Sequence, residues 1–153
     1  MKTKTSTWYE CKIRYEKMME DGTLKKVTET YTVDALSFTE AEENIIKEMS
    51  AYISGEFEVR DIKKAAYNEV FFSDSSCSDD NWYKCKVQFI TIDEKTEKEK
   101  RTSVCYLVNA HNIISCHKVI DDVMSNCMID CDTVAVQKTK ILDVFEYYKY
   151  WEE

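Results

Sequence analysis

The sequence predicts an α+β fold made of two tandem strand-strand-helix-strand repeats related by a pseudo-twofold, with a mostly antiparallel sheet and the helices on one face. The main observation is a repeated segment. Trp8-Tyr9-Glu10-Cys11-Lys12-Ile13-Arg14-Tyr15 returns 74 positions later as Trp82-Tyr83-Lys84-Cys85-Lys86-Val87-Gln88-Phe89. Both copies alternate apolar and polar side chains with the period of a half-buried strand. A stripe of apolar residues at helical spacing follows at a matching distance in each copy.

Further matches extend the repeat through most of the chain. At a spacing of 75 or 74 residues they pair Tyr31 with Tyr106, Val33 with Val108, Ile45 with Ile120, Met49 with Met124, Lys64 with Lys138 and Val144 with Val70. We therefore predict one domain over residues 1–153, in which a polar linker, 73–81, joins repeats 8–72 and 82–148. Units of about 70 residues lie near the lower limit for independent folding, so one core and one sheet system are expected.

The first repeat contains local signals for a hairpin and a helix. A strand over residues 8–16 leads to the turn Asp21-Gly22, which tolerates positive φ, and then to a second alternating strand. Ser37 and Glu40 have capping-box spacing and predict the start of a helix. Gly55 is expected to end that helix in a left-handed conformation. The remaining apolar segment, 57–72, exceeds the usual strand length and should contain a bulge or bend.

The second repeat follows the same plan. A strand begins at Trp82, a charged turn lies within residues 93–101, and a helix begins near Asn112. A final strand is predicted over residues 133–147. The core predicted from both repeats comprises Tyr9, Cys11, Ile13, Tyr31, Val33, Phe38, Ile45, Met49, Tyr83, Cys85, Val87, Tyr106, Val108, Ile120 and Met124.

Composition limits the classes of partner. The net charge is −8, and most of the acid excess lies in residues 8–72. A surface of this sign repels phosphate backbones, so nucleic-acid binding is possible but disfavoured. No apolar run reaches the length of a membrane span. The seven cysteines, an odd number without a signal segment, predict reduced thiols and a cytoplasmic protein.

Catalytic and cofactor motifs are not evident in the sequence. With only Gly22 and Gly55, the chain has no glycine-rich phosphate loop. A zinc set of Cys116, His117, Cys127 and Cys131 has ligand chemistry but the wrong spacing, and a cysteine nucleophile has no local signature. We therefore predict no metal, no cofactor and no enzymatic activity.

Two candidate binding surfaces remain. Alternation places Trp8 and Trp82 on the sheet face opposite the predicted core, beside Lys12 and Lys86. If these side chains are exposed, they resemble the aromatic and basic strands that bind single-stranded nucleic acids. Tryptophan is, however, also often buried. The second surface is the acidic side of the first helix. Glu40 and Glu43 lie there, opposite the apolar stripe.

Three segments carry a resemblance to known sequences: the run from Thr30 to Glu42, Trp82-Tyr83-Lys84-Cys85-Lys86-Val87, and Ile141-Leu142-Asp143-Val144-Phe145. In these segments the chain resembles a family of small proteins of unknown function from gut Bacteroidales and their phages. The resemblance implies a bacterial or phage origin and no particular activity.

The favoured hypothesis is a non-enzymatic interaction protein of phage or mobile-element type that binds an unknown protein partner through its acidic face. Two alternatives stay open: a single-stranded nucleic-acid binder that uses the Trp and Lys strands, and a pocket protein that sequesters a nucleotide between the repeats. The sequence does not predict the oligomeric state.

Overall fold

The computed structural model describes residues 2–73 and 80–147 and confirms the α+β class with mostly antiparallel sheets. The predicted linker falls largely outside the described residues. The elements are β1 Lys2–Thr5, β2 Trp8–Met18, β3 Leu24–Asp34, α1 Phe38–Tyr52, β4 Phe57–Lys64, β5 Glu69–Phe72, β6 Asn81–Ile92, β7 Glu99–Ala110, α2 Ile113–Met124, β8 Asp130–Lys138 and β9 Ile141–Phe145.

The strands form two sheets, so the expectation of one sheet system is wrong. A first unit, residues 6–65 with the segment from residue 140 onward, contains a sheet of order β4-β2-β3-β9. A second unit, residues 66–139 with residues 1–5, contains a sheet of order β1-β5-β7-β6-β8. The order of elements is the same in both repeats. Their pseudo-twofold relation, and their behaviour as one domain, stay predictions.

The last strand of each repeat belongs to the sheet of the other. β5 ends the first repeat but pairs in parallel with β7, where Val70 lies opposite Leu107. β9 ends the second repeat but pairs in parallel with β3, where Thr32 lies opposite Val144. Among the strand pairs of residues 2–73 and 80–147, these two ladders are parallel and the others are antiparallel. Each unit is therefore completed by the last strand of the other repeat.

The first unit buries one face of its sheet under α1. The β2–β3 hairpin turns at Gly22, whose φ of +84° suits glycine. Tyr9, Cys11 and Ile13 of β2 pack with the apolar stripe of α1. The members of this cluster that are buried are Tyr9, Cys11, Ile13, Val33, Ala35, Ala41, Ile45 and Met49.

The second unit repeats this packing with β6, β7 and α2. Asn112 caps α2: its side chain accepts a bond from the Ser115 amide, and the Ser115 hydroxyl accepts one from the Asn112 amide. The buried members of its cluster are Phe71, Tyr83, Cys85, Val87, Tyr106, Val108, Ala110, Cys116 and Ile120. β5, which comes from the first repeat, supplies Phe71. It therefore contributes to the core of the second unit as well as to its sheet.

Most of the predicted core is confirmed, with one clear error. Phe38 is 54% exposed, because it is the first residue of α1 and lies at the rim of the cluster. Tyr31 and Met124 are half-buried and pack against the two clusters. The other predicted core residues are buried.

The end of α1 also differs from the prediction. The helix stops at Tyr52, and the cap residue Ile53 is already extended, with φ −108° and ψ 117°. Its amide donates to the carbonyl of Met49 at 2.8 Å. Gly55 does not adopt positive φ, so its predicted role as a left-handed cap is wrong. Residues 53–56, which bend at 54–55, connect the helix to β4.

The two long predicted strands are each divided in two, and each first part contains a bulge. In β4, Val59 pairs with Ile13 and Asp61 with Lys12, which leaves Arg60 as the extra residue. In β8, the same shift occurs beside Val87, at the position that corresponds to Ile13. Bulges bend an edge strand and change the direction of its side chains. The prediction of a bulge or bend in residues 57–72 is confirmed.

Candidate functional site

Trp8 and Trp82, whose burial or exposure the sequence left open, are both buried. Trp8 is 1% exposed and Trp82 is 5% exposed. The Trp82 ring meets Phe72 edge-on at a centroid distance of 5.7 Å. Lys12 and Lys86 are exposed, as the alternation predicted. Nucleic-acid bases stack on accessible rings, and neither of these indoles offers one.

At the start of α1, Glu40 is part of the helix cap. The Ser37 hydroxyl oxygen accepts a hydrogen bond from the Glu40 amide at 3.1 Å, as the capping-box spacing predicted. The Glu40 carboxylate accepts one from the Leu36 amide at 3.2 Å, one residue before the usual partner. Glu40 is half-buried, and its carboxylate stabilises the start of the helix.

The exposed acids of α1 are Glu42 and Glu43. Lys47 is also exposed and lies one turn after Glu43, where opposite charges attract weakly. Glu48 is half-buried and accepts a hydrogen bond from the Tyr147 hydroxyl. The sequence therefore predicted Glu43 correctly as an exposed acid but missed Glu42, which lies on the flank of the helix that faces β4.

A groove of about 360 Å³ separates α1 from β4, and we call it the α1–β4 groove. The helix lines it with Phe38, Thr39 and Glu42. The strand lines it with residues 59–62, which include the bulge residue Arg60. β4 is the edge strand of its sheet in the described part of the chain. The groove thus combines an accessible aromatic ring, a carboxylate and a strand edge.

Phe38 is held in place at this groove despite its exposure. Its ring meets Tyr9 edge-on, with centroids 5.0 Å apart. Such contacts favour a fixed ring orientation. Three further large apolar side chains are exposed on or beside α1: Leu36 at 70%, Ile46 at 39% and Tyr52 at 71%. The surface around α1 therefore presents apolar and acidic side chains together.

A second, wider groove of about 740 Å³ lies where β2, β3 and β4 approach the hairpin end of the first unit. Its cations are Arg14, Lys26 and Arg60, and its acids are Glu16, Glu56 and Glu58. Arg60 and Glu58 form an exposed ion pair at 3.3 Å. Because cations and carboxylates are equal in number, this lining has no net attraction for a phosphate group.

His117 and Cys131 of the second unit do not form an activated pair. His117 Nδ1 lies 3.0 Å from the Asp121 carboxylate, in a groove that Cys131 and Asp132 also line. Desolvation, followed by the neighbouring Cys127, raises the pKa of Cys131. A cysteine nucleophile needs a lowered pKa, so this arrangement disfavours thiolate chemistry.

The four residues considered for zinc do not come together as one set of ligands. Cys116 is buried in the core, whereas Cys127 is exposed. Within residues 2–73 and 80–147, no group of three or more His, Cys, Asp or Glu side chains is placed to hold a metal ion. Among the same residues, no helix has the length and apolar character needed to cross a membrane.

Comparison with known proteins identifies a family for this chain. A family model described as a domain of unknown function, DUF4494, matches residues 7–147. The match spans nearly all the elements of both units. No curated protein and no solved structure matches the chain.

Proposed function

We propose that this chain, which belongs to the DUF4494 family of unknown function, is a non-enzymatic interaction protein that binds a protein partner through the acidic surface of α1. Its resemblance to proteins of gut Bacteroidales and their phages supports a phage or mobile-element type. Its odd number of cysteines supports a cytoplasmic location.

The observation that carries the proposal is the exposure of Phe38 beside Glu42 in the α1–β4 groove. Aromatic anchors that become buried in pockets supply much of the affinity of protein interfaces. Charged side chains at the rim guide the approach of a partner of opposite sign. The groove offers both on one helix.

The expected partner is a protein segment with an apolar side chain flanked by lysine or arginine. The apolar side chain would occupy the groove next to Phe38. The basic side chains would meet Glu42, Glu43 and Asp61, which lie along the helix and the strand edge. Isolation from cells that express the protein, followed by mass spectrometry, would identify candidates for quantitative binding.

We expect Glu42→Lys with Glu43→Lys to slow association with such a partner about tenfold at low salt and to flatten the salt dependence of the rate. Both carboxylates are exposed, so the fold should be retained. Stopped-flow association over a salt series, with circular dichroism for the fold, measures this. Glu40 is left unchanged because its carboxylate also caps α1.

A matched control reverses two exposed acids of the second unit, Glu94→Lys with Asp122→Lys. It changes the net charge equally but leaves α1 intact, so its association rate should stay near that of the unmodified protein. Equal slowing by both pairs would mean that overall charge, and not the α1 surface, guides the partner. Unchanged rates in the α1 variant would remove the proposal.

The nucleic-acid alternative predicts that the protein retards a single-stranded oligonucleotide in a gel. We expect no retardation of a single-stranded oligonucleotide near physiological salt, because both indoles are buried and the net charge is −8. A gel-shift series over salt concentration tests this. If the protein does retard the oligonucleotide, and Lys12→Glu with Lys86→Glu abolishes the retardation, the nucleic-acid hypothesis would replace our proposal. A thermal-shift screen with nucleotides tests the remaining alternative, a nucleotide-sequestering protein.

A further inference from the structure

Two cysteines of the second unit lie in direct contact inside its core. Cys85 is on β6 and Cys116 is on α2, and their sulfur atoms are 3.2 Å apart. Both are free thiols and both are fully buried. The contact therefore links the central strand of the sheet to the helix that covers it.

The first unit has no such pair at the corresponding place. The repeat spacing relates Cys85 to Cys11 on β2, and relates Cys116 to Ala41 on α1. Cys11 and Ala41 are likewise buried in a helix–sheet core. Alanine therefore fits this position of the helix, and packing alone does not require the second sulfur.

From this geometry we propose that Cys85 and Cys116 are a modification site: they form a reversible disulfide that joins β6 to α2 when the protein meets a small-molecule disulfide oxidant. Two thiols already in contact need little movement of the main chain to form a bond. The proposal is independent of the partner-binding function of α1.

The chemistry is thiol–disulfide exchange in two steps. One protein thiol loses its proton, and the thiolate attacks a sulfur of the small disulfide, which forms a mixed disulfide and releases one small thiol. The second protein thiolate then attacks the protein sulfur of the mixed disulfide and releases the other small thiol. The protein loses two hydrogen atoms and two electrons, and the oxidant gains them.

Access controls the rate of this exchange. The hydrogen bond to Cys116 and burial raise the pKa of Cys85, whereas the same hydrogen bond lowers the pKa of Cys116. Both sulfur atoms are fully buried, so a small-molecule disulfide does not reach either of them in the folded core. Oxidation therefore requires α2 to move away from the sheet. Conditions that promote local opening, such as low urea, should speed the formation of the disulfide.

The experiment uses the purified full chain with oxidised glutathione, with and without low urea. Remaining thiols are alkylated, and peptides are mapped by mass spectrometry without reduction. We expect a cross-linked pair of peptides that contain Cys85 and Cys116, faster formation in urea, and loss of the cross-link on reduction. The oxidised protein should also melt at a higher temperature than the reduced protein.

The matched control is Cys116→Ala, which places in α2 the residue that α1 has at the corresponding position. This variant should fold, should form no cross-link at Cys85, and should show no oxidant-dependent rise in melting temperature. Alkylation of both Cys85 and Cys116 after oxidation in urea would overturn the proposal. So would a map in which Cys85 pairs with Cys105, Cys127 or Cys131 instead.

Discussion

A chain that ends at Lys140 is expected to lose stability in the first unit, although the deleted strand belongs to the second repeat. The deletion removes β9, which buries Ile141 to 4% and Val144 to 8% exposure and supplies Phe145, stacked on Tyr31 at 5.6 Å. Burial of each aliphatic side chain is worth about 1.5 to 3 kcal/mol, so the loss should be about 3 to 6 kcal/mol. Hydrogen exchange followed by mass spectrometry measures it strand by strand.

The amides of β3 should exchange faster in the truncated chain, while those of β6 and β7 keep their protection. A chain that ends at Tyr147 is the control, because it retains β9 and the hydrogen bond from the Tyr147 amide to Asp34 at 2.6 Å. Faster exchange confined to the second unit would contradict the observed strand order.

The second large effect is expected from the centres of the two cores. Ile45 in α1 and Ile120 in α2 are both fully buried. Ile45→Ala or Ile120→Ala should each lower the free energy of unfolding by about 2 to 5 kcal/mol, because the change removes buried methyl groups and leaves a cavity. Denaturant unfolding measures the change.

Neighbouring isoleucines on the same helices provide the controls. Ile46 is 39% exposed and Ile114 is 69% exposed, so Ile46→Ala and Ile114→Ala should cost far less. A denaturant midpoint that neither core substitution lowers would contradict the burial of these two side chains.

Local features of the fold could be predicted because their signals lie within a few residues. The alternation around Cys11 and Cys85 identified two strands and their buried faces, and Ser37 and Asn112 marked the starts of the helices. Each of these signals depends on the geometry of one turn or one strand. Gly55 shows the limit of such reasoning, since the residues before it had already left the helix.

Pairing between distant strands could not be predicted in this way. Nothing in residues 141–145 specifies β3 rather than another strand, because parallel pairing depends on the completed sheets. The burial of the tryptophans could not be predicted for a related reason. Alternation identifies the face on which Trp8 and Trp82 lie, but not whether that face is covered.

The candidate site was partly predictable. Helical periodicity placed Glu43 on the exposed side of α1, as the structure shows. The capping-box spacing assigned Glu40 to the start of the helix, but the sequence did not reveal that its carboxylate bonds the Leu36 amide or that Glu42 borders a groove. The bulge residue Arg60 lines that groove, and its position is set by the pairing of β4 with β2.

β5 and β9, which each pair in the sheet of the other repeat, also impose an order on folding during synthesis. The second unit has all the strands of its sheet once β8 has left the ribosome, since β1 and β5 precede it. The first unit contains the earliest hairpin but must wait for β9, so the edge of β3 stays open while nearly all the remaining chain is made. Open strand edges pair readily with other chains. The nascent chain is therefore most prone to misassemble at β3, which is synthesised early but acquires its last partner late.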